Sequence, residues 1–195
     1  PDNPIGYLNF SVAEFRPPEF LVTTTPSAEQ TAAGEKLQVT IDGKFLFGGP
    51  VSGGTVQWRV VANQGFFNYT GPGNYDFGTF SYYYWDRGYS YNRDVASGTG
   101  VLDENGQLVI DVPTDLGGNN TTQVFTIEAT VTDVSNQQIS GRSNVTVHPA
   151  TLYIGLQPGK YVGRAKEPMD VNVIAVDWAS QPLADQKLTL KVVKR

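Results

Sequence analysis

An all-β fold, an antiparallel β-sandwich followed by a second, incomplete β unit, is what this 195-residue sequence predicts. Short runs alternate apolar and polar residues with a period of two, the signature of a strand with one buried face. Clusters of Gly, Pro, Asn and Ser punctuate those runs at close intervals, as tight turns require. Helical periodicity of 3.6 residues is nearly absent. Strands this short and this regularly interrupted indicate a sandwich.

The elements follow in order. Residues 7–15 alternate Leu8, Phe10 and Val12 with polar neighbours, and Arg16-Pro17-Pro18 then interrupts. An extended pattern resumes over residues 19–24. Leu37, Val39 and Ile41 share one face of a strand, as do Val56, Trp58 and Val60, then Leu108, Ile110 and Val112. The clearest alternation places Phe125, Ile127, Ala129 and Val131 opposite Thr126, Glu128 and Thr130. Turn signals stand between these runs at Phe47-Gly48-Gly49-Pro50, Ser52-Gly53-Gly54, Asp103-Glu104-Asn105-Gly106 and Ser135-Asn136-Gln137.

A boundary is expected at Val147-His148-Pro149-Ala150, where proline breaks the ladder and a new strand opens at Leu152-Tyr153-Ile154. Further strands are expected over 169–178 and 187–193, joined by Ala179-Ser180-Gln181-Pro182. About three strands are too few for an independent sandwich, so the second unit is truncated or completed by another segment. Residues 7–15 are the candidate: cut from a preceding domain, that strand carries an unpaired edge. The expected organisation is therefore a terminal strand and Pro-containing linker over 1–18, a sandwich domain over 19–148, and the start of a following domain over 149–195. The chain opens at Pro1 without an initiator Met and reads as a piece of something longer.

Composition excludes several function classes. Lys and Arg number 14 against 19 Asp and Glu, a net charge of −5 without any basic run, so nucleic acid is not an expected partner. No apolar run approaches the roughly 20 residues that span a bilayer, so direct membrane insertion is not expected of this segment. The absence of cysteine removes disulfides, thiolate catalysis and Cys-ligated metals. His148 is the single histidine, which leaves no His-based metal cluster or triad; before Pro149 at a strand end, it reads as a linker residue. Asp103, Glu104 and Asn105 lack the spacing of a calcium loop, and Asn105-Gly106 instead signals a hairpin. No acidic pair is singled out for glycoside hydrolysis. No cofactor and no enzyme activity are expected.

The conspicuous local feature is residues 66–91, twelve aromatic rings among glycines and asparagines, including Tyr82, Tyr83, Tyr84, Trp85 and Tyr89. Two readings stand. Rigid amphipathic rings suit a protein interface or the face of a sugar. Equally, a long ordered insertion packs on its own side chains or on a neighbouring domain, the reading favoured here. Those five residues are the candidate contacts under either reading.

The run Val12-Ala13-Glu14-Phe15-Arg16-Pro17-Pro18-Glu19-Phe20-Leu21-Val22 resembles the interdomain join of macroglobulins. The segment from Phe45 through Gly48-Gly49-Pro50-Val51 and Gly53-Gly54 to Trp58 is similar to that family's turn-and-strand pattern. Gly100-Val101-Leu102-Asp103-Glu104-Asn105-Gly106, Glu128-Ala129-Thr130-Val131-Thr132-Asp133 and Val147-His148-Pro149-Ala150-Thr151-Leu152-Tyr153-Ile154 resemble the bacterial α2-macroglobulin branch. The resemblance covers nearly the whole chain in order. It implies a macroglobulin-type, fibronectin-like sandwich acting as a scaffold module of a broad-spectrum protease-trapping inhibitor. Partners implied are the neighbouring domains of the same parent chain and, through the parent, host or environmental proteases. The implied location is extracytoplasmic, periplasmic or associated with the cell envelope. The family's internal thioester needs a Cys, which this sequence lacks, so that chemistry does not transfer to it. The alternative from another class is a carbohydrate- or surface-binding module that uses the aromatic stretch.

Overall fold

A computed structural model describes residues 17–78, 92–164 and 167–191 of the chain. Those residues form ten strands: β1 (Phe20–Pro26), β2 (Gln30–Ala32), β3 (Leu37–Phe45), β4 (Thr55–Gln64), β5 (Arg93–Val101), β6 (Gln107–Val112), β7 (Gln123–Thr132), β8 (Gln138–His148), β9 (Tyr153–Pro158) and β10 (Val171–Val176). No helix occurs among the described residues. One sheet has the order β1-β3-β6, a second β2-β8-β7-β4-β5, and β9 with β10 forms a separate antiparallel pair. Every pairing is antiparallel except that of β2 with β8, so the larger sheet is mixed.

Alternation builds the core. In β7, Phe125, Ile127, Ala129 and Val131 face inward and are buried, whereas Thr126, Glu128, Thr130 and Thr132 face out. Leu37, Val39 and Ile41 of β3 and Val56, Val60 and Ala62 of β4 meet them from the two sheets in one continuous apolar cluster. Truncating a buried ring such as Phe125 to Ala costs about 3–5 kcal/mol.

Two glycines let backbones close. Gly43 continues the inward face of β3, where an added Cβ would lie 2.8 Å from Leu102 Cδ1 and 3.2 Å from Val51 Cβ, so both residues plug that end of the sandwich. Gly141 of β8 faces β1, and a Cβ there would come within 2.5 Å of the Val22 carbonyl oxygen. β1 thereby seals the seam between the sheets.

A single turn design recurs three times. Asp103, Asp133 and Asp177 each accept, at Oδ1, the amides of the second and fourth residues that follow, with distances of 2.8–2.9 Å. Each aspartate amide also donates to the carbonyl four residues on, always a glutamine: Gln107, Gln137 or Gln181. The residue before that glutamine takes positive φ, as Gly106 (77°), Asn136 (61°) and Ser180 (64°). The left-handed region suits Gly and Asn best, so Ser180 is the strained member.

β8, 11 residues long, runs the height of the sandwich, roughly 36 Å at about 3.3 Å per residue. It begins beside the Asp133 turn, to which Pro17 is hydrogen-bonded through Gln137. It ends at His148, near where β9 begins and β10 ends, so Pro17 and the β9–β10 unit lie at opposite poles. Beyond β10 the structure departs from expectation: the described part of the anticipated 187–193 strand, residues 187–191, is not a strand. Those residues meet no ladder partner among the described residues, and Leu188 and Leu190 remain exposed. Residues 7–15, the expected covering strand, lie outside the described residues.

Candidate interdomain joint

Tyr82, Tyr83, Tyr84, Trp85 and Tyr89 also lie outside the described residues. The beginning of the same aromatic stretch, through Gly78, is described, and it enters a second buried cluster at the β9–β10 pole. Phe67, Tyr153 and Val176 are its interior, with Tyr69, Phe77, Ile174 and Trp178 packed around them. Phe67 stacks on Tyr153 with centroids 3.9 Å apart and planes within 8°, and Phe77 meets the edge of Phe67 at 5.1 Å. Tyr69 in turn touches Phe77 at 4.9 Å. Gly155 of β9 is the seat for Phe77, because a Cβ there would stand 2.7 Å from that ring. Asp76 and Leu156 exchange both backbone hydrogen bonds at 2.8 Å, so the stretch adds an isolated rung to the β9–β10 pair.

A polar chain runs through this cluster. Gln30 Oε1 of β2 lies 2.9 Å from His148 Nε2, which requires the proton on Nε2 because a carbonyl oxygen only accepts. His148 Nδ1 then accepts from the Tyr153 hydroxyl at 2.6 Å, and the Thr122 hydroxyl donates to the Tyr153 oxygen at 2.5 Å. The Trp178 indole stacks on the imidazole at 4.5 Å and 13°, and its Nε1 donates to the Ala150 carbonyl at 2.9 Å. Thr70 N donates to Ser180 Oγ at 3.1 Å, which gives the strained turn a role in the same contact.

His148 is therefore no mere linker residue. It closes β8, yet the residue is buried, only 4% exposed. Burial lowers its pKa to about 4 from the usual 6.5, since desolvation disfavours the imidazolium. The Tyr153 hydroxyl is pushed above its ordinary value by the same desolvation, against an opposing effect of the Thr122 hydrogen bond. A hollow of about 400 Å³, bordered by Glu29, Gln30 and Trp178, opens beside this chain. Sequence reasoning missed the joint because its members are spread from Gln30 to Ser180. The signal available was a lone His followed by Pro149 and, five residues after the His, an aromatic at the head of a strand.

What the joint can do is mechanical. Neutral His148, Tyr153, Thr122 and Gln30 satisfy one another without a free nucleophile, and no group of three or more His, Cys, Asp or Glu able to hold a metal occurs among the described residues. It fixes the β9–β10 unit to the end of the sandwich.

Comparison with known proteins places this arrangement. Residues 21–149 match the model of the bacterial α2-macroglobulin MG5 domain. An α2-macroglobulin homolog of Nostoc sp. strain PCC 7120 is 26% identical over 185 residues, which cover 94% of this chain and 9% of that protein. The α2-macroglobulin of Thermotoga maritima is 27% identical over 184 residues, 91% of this chain and 10% of its own length. The chain thus spans about a tenth of the curated relatives it matches. The native conformation of Escherichia coli α2-macroglobulin superposes with a TM-score of 0.59 at 14% identity, covering 87% of this chain and 11% of that one. The Salmonella protein reacted with methylamine gives 0.57 at 16% identity over 75% and 9%. These structures share the fold.

Proposed function

Because the chain belongs to the bacterial α2-macroglobulin family through its MG5 domain, we propose that it is a structural module of a larger protease-trapping inhibitor, with no catalytic activity of its own. Its work is to hold successive domains at a set angle. The organisation that goes with this role is a linker strand over 1–18, the sandwich over 19–148 and the opening of the next domain over 149–195. Neighbouring domains of the parent are its direct partners, proteases are met only through the parent, and the setting is extracytoplasmic.

The observation that carries the reading is the joint itself. A two-stranded ribbon is marginal alone, and here β9 and β10 bury Tyr153 and Val176 against Phe67 of the sandwich's own insertion while His148 locks the corner. A moderate, partly polar interface of this kind suits domains that must be held and yet be able to reorient. The sugar-platform alternative needs rings exposed side by side. Phe67 and Phe77 are instead spent on packing against Tyr153 and Gly155.

The test is made in the parent protein. Tyr153→Ala and the milder Tyr153→Phe should reduce, in that order, its ability to protect a large protein substrate from an active protease, whereas Thr130→Ala on the outer sheet face should leave protection unchanged. Full protection by the correctly folded Tyr153→Ala parent would remove the scaffold role.

A further inference from the structure

At the pole opposite the joint, three large apolar side chains stand in water. Phe47 is 82% exposed, Val134 90% and Leu46 59%. They lie about the segment Pro17-Pro18-Glu19. Leu46 N donates to Glu19 O at 2.8 Å, Glu19 N donates to Gln137 Oε1 at 2.8 Å, and Gln137 Nε2 donates to Pro17 O at 3.0 Å. The turn that carries Val134 therefore clasps the linker, and the turn that carries Phe47 rests on it.

The exposed ring is also held from below. Buried Phe20 meets the edge of Phe45 at 6.0 Å, and Phe45 stacks on Phe47 at 5.0 Å and 16°. An aromatic column thus rises from the core to the tip, so Phe47 loses little side-chain entropy when it is covered. Exposed apolar clusters on a held framework mark contact surfaces.

We infer that this pole is the docking surface for the domain that precedes it in the same polypeptide, with Phe47, Leu46 and Val134 buried against that domain; the inference rests on the module reading proposed above. The occupant follows from covalent geometry. Pro17 and Glu19 are hydrogen-bonded in the middle of the patch, so the chain N-terminal to them joins the fold there, and Pro17-Pro18 stiffens that join. A covalent tether raises the effective concentration of an attached domain above that of a freely diffusing partner. The relatives are about ten times longer than this chain, so there is polypeptide to supply the occupant. The pole is also too far from the β9–β10 unit to serve it, being separated by the length of β8.

The experiment uses the absence of cysteine. Val134→Cys, Phe47→Cys and, as a control on the outer face of β5, Ser97→Cys are placed singly in this 195-residue chain and in the parent, and maleimide labelling of each site is timed by mass spectrometry. The 134 and 47 thiols should label at least tenfold more slowly in the parent than in this chain, with position 97 equal in both. Equal rates at 134 and 47 in the two settings would overturn the docking surface. So would protection already present in the isolated chain that disappears on dilution, which would make a second copy the occupant. Protease trapping is read on the Ser97→Cys parent. Protection of the pole in a parent that does not trap retires the functional reading and leaves the docking, while trapping without protection does the reverse.

Discussion

At the residue scale the chemistry concentrates on His148. Buried and accepting from Tyr153, it stays neutral with a pKa of about 4, whereas in the unfolded chain it returns to about 6.5. The unfolded state therefore binds the proton first as pH falls. Stability from this group is complete above about 6.5 and is lost progressively down to about 4, at most about 3 kcal/mol. Between pH 7 and 5, before most carboxylates titrate, urea unfolding should show a loss of about 2 kcal/mol, and His148→Asn should flatten that slope. A slope unchanged by the substitution would mean that the imidazole is not held neutral. A second residue offers the opposite effect. Thr24 Oγ1 is buried in β1 without a hydrogen-bond partner among the described residues. An unpaired hydroxyl is unfavourable to bury, so Thr24→Val should raise stability by up to about 1 kcal/mol, seen as a higher urea midpoint at constant m-value. A lower midpoint would show that the hydroxyl is satisfied after all. Neither effect is legible in the sequence, since both depend on what faces the side chain across the fold.

At the element scale, legibility tracks how much of a strand's partner chemistry is written into the strand itself. β7 is readable because it lies between β4 and β8 in the sheet and alternates without a break, Phe125 through Val131 inward. β5 is not. Its sequence from Arg93 to Val101 is rich in Gly and Ser because the inward volume is filled by its neighbours: an added Cβ at Gly98 would stand 2.6 Å from the Trp58 ring, and one at Gly100 2.6 Å from Leu108. β2 is three residues long and parallel to β8, a pairing that no local pattern announces. The turns at 103–107, 133–137 and 177–181 are readable as turns, yet their shared device, an aspartate at the head answering a glutamine four residues on, emerges only from the hydrogen bonds. The seam between β1 and β8 belongs to this scale too. Gly141→Ala would drive a methyl to 2.5 Å from the Val22 carbonyl, a backbone atom that cannot rotate away. The expected cost is about 2–3 kcal/mol, which for a chain of this size lowers Tm by roughly 5–10 °C. An unchanged Tm would mean that β1 is free to move off β8.

At the scale of the whole molecule, the sandwich and the β9–β10 unit differ sharply in what holds them. The sandwich has a continuous apolar core between two sheets, whereas the apolar cluster that holds the second unit has three buried residues among those described, one of them borrowed from the insertion after β4. Its order is then a property of the joint and not of its own strands, because a lone hairpin cannot offset the entropy of its fixed backbone. Opening of that unit should be a local event, cheaper than global unfolding. Tyr153→Ala takes away the ring stacked on Phe67 and leaves His148 Nδ1 and Thr122 without their partner. In hydrogen exchange, the amides of β9 and β10 should lose protection by at least a hundredfold, while those of β7, paired on both sides by β4 and β8, should change by less than threefold. Tyr153→Phe keeps the stack and should fall between. If protection in β7 dropped in parallel with that in β9, the two units would unfold as one body, and the joint would be part of the core instead of a seam between the sandwich and the β9–β10 unit.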